Sequence, residues 1–106
     1  MQMNIKKLLG KRIKEIRKSA KLTQEQLGEM VEIEPSSLGN IENGYNYPLI
    51  STLEKITKAL GCSMSDVFEY EHFEDDQILL ERINTLLKNN PDKIRQVYKL
   101  IKAIVY

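Results

Sequence analysis

Start and stop signals for two short helices lie close together in the segment LTQEQLGEMVEIEPSSLGNIENG at residues 22–44, and they constrain the fold of this chain most. Thr23, followed by Gln26 three residues later, is a capping-box pattern, in which each side chain accepts a hydrogen bond from the other residue's backbone N–H at a helix start. The pattern predicts a helix over residues 24–31.

A second helix is predicted over residues 35–42. Pro35 suits the first helical position, where its missing N–H would have no partner anyway, and Gly44 suits the position after the last turn. About three residues remain between the two predicted helices, which is the length of a tight turn.

Apolar residues spaced three or four apart predict further helices on both sides of this pair. One runs over 5–18 and one over 50–60, and a short fifth helix opens with the capping-box pattern SMSD at 63–66. The side chains expected to face a common core are Ile5, Leu8, Leu9, Ile13, Ile16, Leu27, Met30, Val31, Leu38, Ile41, Ile50, Leu53, Ile56, Leu60, Val67 and Phe68.

The pattern breaks at YEHFEDD, and two more amphipathic helices follow it. We expect a first domain at residues 1–70, a linker at 71–76 and a C-terminal helical hairpin at 77–106, with helices over 76–89 and 91–105. The sequence shows no strand-like alternation. It therefore predicts an all-α fold of five helices followed by a two-helix hairpin.

Composition excludes several classes of protein. With 42% hydrophobic and 29% charged residues, the 106-residue chain is expected to fold. No apolar run approaches the roughly 18 residues of a membrane span, and the charged start MQMNIKKLLGKRIKEI is unlike an export signal. The single cysteine, Cys62, cannot form an internal disulfide, which fits a cytoplasmic setting. With one His and one Cys, no zinc site is expected, and no other cofactor is predicted.

Charge is segregated along the chain. Residues 1–21 hold eight bases and one acid, a net charge of +7, whereas residues 22–48 hold five acids and no base, a net charge of −5. Because the local field steers a polyanion, the total of +1 does not exclude nucleic acid as a partner. On charge alone, a solvated helix face beside an acidic neighbour is an equally weighted interpretation.

The ordered set of these features resembles the lambda-repressor-like, Cro-type (XRE) helix-turn-helix family over roughly Ile5 to Phe68. A helix ending IKEIRK is followed by LTQEQL, an apolar Ile33 in the turn, SSLGNIENG, a proline and STLEKITKALGCSMSDVF. The resemblance implies that the second helix spans the DNA backbone and that the third lies in the major groove. It also implies that Arg17 and Glu42 form a buried pair tying the first helix to the end of the third.

Seven positions are implied to contact DNA by the same resemblance. The chemistry of two residue types agrees independently, since an asparagine can hydrogen-bond adenine N6 and N7, and a glutamine at a helix start can present its amide where free N–H groups attract a phosphate. The positions are Gln24 at the start of the second helix, Pro35, Ser36, Ser37 and Asn40 at the base-reading positions, and Asn43 and Tyr47 near the following phosphate.

The chain departs from the usual family pattern in the turn and the reading helix. Glu32 stands where glycine is usual, so we expect a reshaped or mildly strained turn. Glu34 would favour the helix dipole but repel phosphate, and Pro35 offers no donor. Asn, Gln and Ser hydrogen-bond base edges without positive charge, so DNA binding is still expected, with phosphate attraction supplied by the basic first segment.

The C-terminal hairpin is predicted to form a dimer. About 30 residues have little core of their own, so the apolar faces must pack on the first domain or on a second copy. A hairpin that caps its own first domain in a monomer is the alternative. The predicted interface residues are Ile83, Leu87, Ile94, Val97, Tyr98, Ile101, Ile104 and Val105.

These observations predict a cytoplasmic, sequence-specific DNA-binding transcriptional regulator, and more narrowly a repressor that acts as a homodimer on an inverted-repeat operator. Two alternatives remain. One is an antitoxin-type autorepressor whose hairpin holds a second protein, and the other is a protein-interaction adaptor that uses the acidic face of the scaffold. An enzyme is not expected, because the sequence has no paired-carboxylate cleft, no nucleophile–base pair and no Gly-rich phosphate loop.

Overall fold

The computed structural model describes residues 4–106, and every regular element in that range is helical. This confirms the predicted all-α class. Short 3-10 turns lie at Glu71–Phe73 and Pro91–Lys93. The α-helices of the described residues are α1 Ile5–Ser19, α2 Gln24–Val31, α3 Pro35–Glu42, α4 Ile50–Leu60, α5 Met64–Val67, α6 Asp76–Asn89 and α7 Ile94–Val105.

The chain divides into two compact units after Phe73. The first unit holds α1 to α5, and their inward faces meet in one apolar core. Because every one of these helices contributes to that core, each depends on the others for the burial of its apolar face. The buried core residues are Leu9, Ile13, Leu27, Val31, Leu38, Ile41, Leu53, Ile56 and Val67.

The capping box at the start of α2 forms in full. Thr23 Oγ1 accepts a hydrogen bond from the Gln26 N–H at 3.0 Å, and the Thr23 N–H donates to Gln26 Oε1 at 2.9 Å. At the other end of α2, Glu32 adopts a left-handed backbone with φ 59° and ψ 43°. The tight turn is therefore kept rather than reshaped, at a cost of about 1–2 kcal/mol for a residue that has a Cβ atom.

Four side chains predicted to face the core are exposed instead. The exposed fractions are 54% for Ile5, 55% for Met30, 65% for Ile50 and 45% for Phe68. Each lies at or next to a helix end: Ile5 and Ile50 are first residues, Met30 is the residue before the last, and Phe68 is the C-cap of α5. A residue at a helix end has a neighbouring turn on one side only, so it buries less of its side chain. A prediction from apolar spacing that continues to the last residue therefore overestimates burial there.

The segment after α5 is fastened to α1. His72 Nε2 lies 2.9 Å from Glu15 Oε1, and Arg12 Nη1 donates to the same carboxylate oxygen at 2.5 Å. Partial burial acts to raise the pKa of Glu15, but the hydrogen bonds from Arg12 and His72 outweigh it and the pKa is lowered. The ammonium of Lys11 lies 4.8 Å from the ring centre of Phe73. These contacts tie residues 72 and 73 to the outer side of α1.

The second unit covers residues 74–106 and has no buried residue in either of its α-helices. Asp75 caps α6 by accepting a hydrogen bond from the Ile78 N–H at 3.0 Å. The helix predicted over 91–105 is shorter, because Pro91–Lys93 forms a 3-10 turn and α7 begins at Ile94. Close backbone contacts in this unit lie mainly between each helix and that turn. The apolar side chains of α6 and α7 are therefore half-buried or exposed.

Candidate nucleic-acid interface

Helix α3 has two faces of opposite character. Leu38 and Ile41 are buried in the core, whereas Ser36, Ser37 and Asn40 are exposed. Asn40 follows Ser36 by four residues and Ser37 by three, so the three polar side chains share one side of the helix. This face offers two hydroxyls and one carboxamide, groups that can donate and accept hydrogen bonds at the edges of bases.

The first turn of α3 adds little to this face. Pro35 is exposed at the first helical position and has no N–H, and the N-cap residue Glu34 makes no side-chain capping hydrogen bond. The carboxylate of Glu34 is therefore available to solvent. Its negative charge suits the helix dipole and opposes a phosphate at the same place.

A buried ion pair holds the end of α3 against α1. Arg17 Nε donates to Glu42 Oε2 at 2.7 Å and Arg17 Nη2 donates to Glu42 Oε1 at 3.0 Å. A third donor of the guanidinium, Nη1, reaches the carbonyl of Leu22 at 2.7 Å. The two residues are only 6% and 4% exposed. The guanidinium thus connects α1, the residue before the α2 cap and the last residue of α3 in one fixed geometry.

Gln24 joins the same network. Its Nε2 donates to Glu42 Oε1 at 2.9 Å. An ionised carboxylate offers only acceptors, so the amide nitrogen must face Glu42, while Oε1 and the second N–H stay available to a ligand. Gly39 lies next to this amide, and a Cβ at that position would be 3.5 Å from Gln24 Oε1, an ordinary van der Waals distance. Gln24 was predicted to contact DNA, but its bond to Glu42 was not predicted.

The loop after α3 folds back over the end of the helix. Gly44 has φ +77°, a conformation that favours glycine, and the Tyr45 N–H donates to the carbonyl of Asn40 at 2.9 Å. Asn43 is the exposed C-cap of α3, and the ring of Tyr47 is 59% exposed. The turn therefore presents both predicted backbone-contacting side chains to solvent on either side of Gly44.

Two glycines bring the helices of this unit close together, and the sequence reading did not single them out. A Cβ at Gly10 would lie 2.2 Å from the carbonyl oxygen of Ile41, and a Cβ at Gly28 would lie 2.8 Å from the carbonyl oxygen of Ile33. The first contact sets the approach of α1 to α3, and the second sets the tight turn between α2 and α3. Gly10 lies inside a predicted helix, where glycine is disfavoured relative to alanine, and this was the signal available in the sequence.

Acidic side chains are exposed on α2 and on the turn that leads into α3. No lysine or arginine occurs between residues 22 and 48, and four glutamates of α2 and the turn are exposed. They are Glu25, Glu29, Glu32 and Glu34. Within residues 4–106, no cluster of His, Cys, Asp and Glu side chains could hold a metal ion. The described side chains of α2, α3 and their turn therefore offer hydrogen-bonding groups and negative charge, but no positive charge.

Comparison with known proteins identifies the family. The HTH_3 helix-turn-helix family matches residues 13–67, which is just over half of the 106 residues. The chain belongs to this family. The match confirms the resemblance to XRE-type helix-turn-helix proteins and covers the elements described above, from the middle of α1 to the end of α5. The family is one of DNA-binding regulators rather than enzymes.

Individual relatives support the same assignment. The chain is 46% identical over 59 residues to the immunity repressor protein of Bacillus phage phi105, covering 56% of this chain and 41% of the repressor. It is 31% identical over 71 residues to control protein C.BamHI of Bacillus amyloliquefaciens, covering 66% of this chain and 88% of that protein. A solved HTH_3 family transcriptional regulator from Vibrio cholerae superposes with a TM-score of 0.58 at 32% identity, covering 62% of this chain and 37% of that one.

The family match and the match to the phage repressor each cover only part of the proteins compared. The chain spans about two fifths of the length of the phage repressor. The shared part is the helix-turn-helix unit, and α6 and α7 lie beyond the family match at residues 13–67. No helix among the described residues combines the length and apolar character needed to cross a membrane.

Proposed function

We propose that this chain is a sequence-specific transcriptional repressor that binds double-stranded DNA in the cytoplasm as a homodimer, at an inverted-repeat operator. The observation that carries the proposal is the exposed polar face of α3, held in place by the buried pair of Arg17 and Glu42. A rigid support of this kind allows short polar side chains to be presented to base edges with a fixed register.

Each residue has a stated role in this proposal. Asn40 and Ser36 read base edges in the major groove, and Ser37 contacts the edge of the same groove. Gln24 contacts a phosphate or a base edge with the half of its amide that Glu42 leaves available. Pro35 provides apolar contact at the start of α3. Asn43 and Tyr47 contact the DNA backbone after α3, where the loop exposes them.

The second unit is proposed to supply the dimer interface, with residues 1–70 as the DNA-binding domain and 77–106 as the dimerisation segment. Most of the apolar side chains of the proposed interface are exposed, with exposed fractions of 61% at Tyr98, 46% at Ile101 and 83% at Ile104. Exposed apolar side chains arranged in one helical stripe favour burial against a partner. The remaining interface residues are Ile83, Leu87, Ile94, Val97 and Val105.

Selection from a random duplex pool with purified full-length protein tests the DNA-binding part. We expect an inverted repeat whose half-sites are centred about 10 base pairs apart. Asn40→Ala should lose base preference at one position of each half-site, at a cost of about 1–3 kcal/mol. Glu54→Ala, at an exposed position of α4, is the control. No enrichment at low salt, where phosphate contacts are strongest, would refute the proposal.

Sedimentation equilibrium at micromolar concentration tests the dimer. Wild-type protein should sediment as a dimer, whereas Ile104→Asp and Ile101→Asp should sediment as monomers, because a carboxylate in an apolar interface has no partner. Gln96→Asp, at an exposed α7 position off the apolar stripe, is the matched control and should remain dimeric. A monomeric wild-type protein would contradict the interface.

One observation favours a second candidate function. The exposed glutamates Glu25, Glu29, Glu32 and Glu34 belong to the same helix and turn as Met30, which is 55% exposed, and an acidic surface that also exposes an apolar side chain is suited to binding a basic protein. If the duplex selection fails, the chain is better described as a protein-interaction adaptor. An antitoxin-type autorepressor would give a positive selection and would in addition hold a second protein on the hairpin.

A further inference from the structure

The proposed DNA-binding surface lacks a source of positive charge within its own helices. Residues 22–48 contain five acids and no base. Double-stranded DNA carries about one negative charge per 1.7 Å of its axis, and phosphate contacts from lysine and arginine provide most of the sequence-independent affinity. A surface made of α2, α3 and their turn alone would therefore repel the duplex that it reads.

The basic first segment provides candidate cations, but some are committed to other contacts. Arg17 is buried against Glu42. Arg12 is bound to Glu15, and the ammonium of Lys11 lies over the ring of Phe73, which belongs to the segment after α5 and not to the loop after α3. These three side chains serve the fold and the segment after α5.

Lys6 and Lys7 lie beside the loop that follows α3. The Lys6 Nζ is 5.5 Å from the ring centre of Tyr47, within the range of a cation–π interaction. The Lys7 stem runs along Gly44 so closely that a Cβ at Gly44 would meet Lys7 Cγ at 2.6 Å and Lys7 Cα at 2.8 Å. The first turn of α1 is thus packed against the loop between Asn43 and Tyr47.

The contacts of Lys7 with Gly44 and of Lys6 with Tyr47 restrict the positions that the two ammonium groups can occupy. The Lys7 backbone is fixed because Asn4 caps α1 through a 2.9 Å hydrogen bond to the Lys7 N–H. Lys7 is exposed and Lys6 is half-buried, so both can reach solvent at the loop while their methylene stems stay packed. The loop contributes an exposed carboxamide at Asn43 and an exposed phenol at Tyr47, both of which can donate to an anionic oxygen.

We propose that Lys6 and Lys7 form a phosphodiester-binding site with Asn43 and Tyr47, which supplies the positive charge that α2 and α3 lack. The assignment rests on the proposed DNA-binding function and adds the source of its affinity. Compact ammonium groups act on phosphate as point charges. The site therefore holds the DNA backbone at the end of α3 without reading sequence, and the polar face of α3 supplies discrimination.

The salt dependence of binding tests this site. Fluorescence anisotropy with a labelled duplex carrying the selected operator, and with a scrambled duplex, should be recorded between 50 and 200 mM salt. Each neutralised phosphate contributes about −0.9 to the slope of log affinity against log salt. Each substitution removes one phosphate contact from each of the two subunits. Lys6→Gln and Lys7→Gln should therefore each make the slope for the dimer less steep by about 1.8, so that affinity falls about 12-fold less than in the wild type over that range.

Controls separate this site from a general effect of net charge. Lys11→Gln removes the same charge from the same helix, but at the ammonium held over Phe73, and should leave the slope unchanged. Lys6→Arg keeps the charge and should retain the wild-type slope. Circular dichroism should show wild-type helix content in every variant, since glutamine retains part of the lysine stem that packs on the loop.

The outcomes distinguish this assignment from the function on which it rests. If the wild-type protein binds the operator and the double Lys6→Gln, Lys7→Gln variant shows the same salt slope as the wild type, the site is refuted and the proposed function stays intact. An equal change in Lys11→Gln would also overturn it. Absence of any duplex binding by the wild-type protein at 50 mM salt would refute the proposed function and this site together.

Discussion

The contact between α1 and α3 at Gly10 predicts a large effect from the smallest possible substitution. In Gly10→Ala the new Cβ would lie 2.2 Å from the carbonyl oxygen of Ile41 and 2.7 Å from that of Glu42. Both obstructing atoms belong to the backbone, so no side-chain rotation relieves the overlap. The two helices must move apart, which also disturbs the 2.7 Å bond between Arg17 and Glu42.

The magnitude follows from two opposing effects. Alanine in a helix interior gains about 0.5–1 kcal/mol over glycine, whereas overpacking of a filled interior costs about 1–3 kcal/mol or more. Because the new Cβ at Gly10 overlaps backbone atoms, we expect an overpacking cost in the upper part of its range. The net loss of stability should then be about 2 kcal/mol. For a domain of this size that corresponds to a Tm about 8–16 °C lower.

Gly39→Ala is the matched comparison, because it makes the same chemical change inside α3. Its Cβ would have its nearest atom, Gln24 Oε1, at 3.5 Å, an ordinary van der Waals distance. This variant should therefore be stabilised by about 0.5–1 kcal/mol. Urea denaturation followed by circular dichroism measures both, with similar m-values expected. A Gly10→Ala protein as stable as Gly39→Ala would refute the steric argument.

Three further predictions concern side chains with unusual environments. Arg17→Met should lose about 3–5 kcal/mol in thermal denaturation because Glu42 stays buried without its cation, and adding Glu42→Leu should recover part of that loss; a surface-like loss below 1 kcal/mol would contradict it. Glu32→Gly should raise the free energy of unfolding by about 1 kcal/mol, since glycine adopts φ 59° without strain, and no gain would show that the turn is unstrained. The lowered pKa of Glu15 means that its contacts stabilise the fold above its ordinary pKa and that this contribution is lost as pH falls through the folded-state value, so the stability difference between wild type and Glu15→Gln should disappear in acid.

Local signals in the sequence were sufficient for the helices of the first unit. The capping pair Thr23 and Gln26, the proline at the start of α3 and the apolar spacing all depend on residues within one or two turns of each other. These signals predicted α2 as 24–31 and α3 as 35–42, the bounds that the structure shows. The same local signals overestimated burial at Ile5 and Ile50, because a periodic pattern does not reveal where its packing partners end.

Features that join distant residues could not be predicted in this way. The approach of Gly10 to the carbonyl of Ile41, the bond from Gln24 to Glu42 and the packing of Lys7 on Gly44 each join positions well separated in sequence. Family resemblance anticipated one such long-range contact, the pair of Arg17 and Glu42. The others depend on how closely the helices approach, and no local pattern of residue types encodes that distance.

The sequence by itself determined the helical class, the tight turn between α2 and α3 and the polar composition of the exposed face of α3, because caps, breakers and apolar spacing act over a few residues. Only the tertiary structure decided that Glu32 accepts a left-handed backbone to keep the turn, and that half of the Gln24 amide is bound to Glu42. It also decided which lysines of the basic segment lie beside the loop that follows α3. A strained backbone or a fixed side-chain orientation persists only where the surrounding packing stabilises the fold by more than that conformation costs.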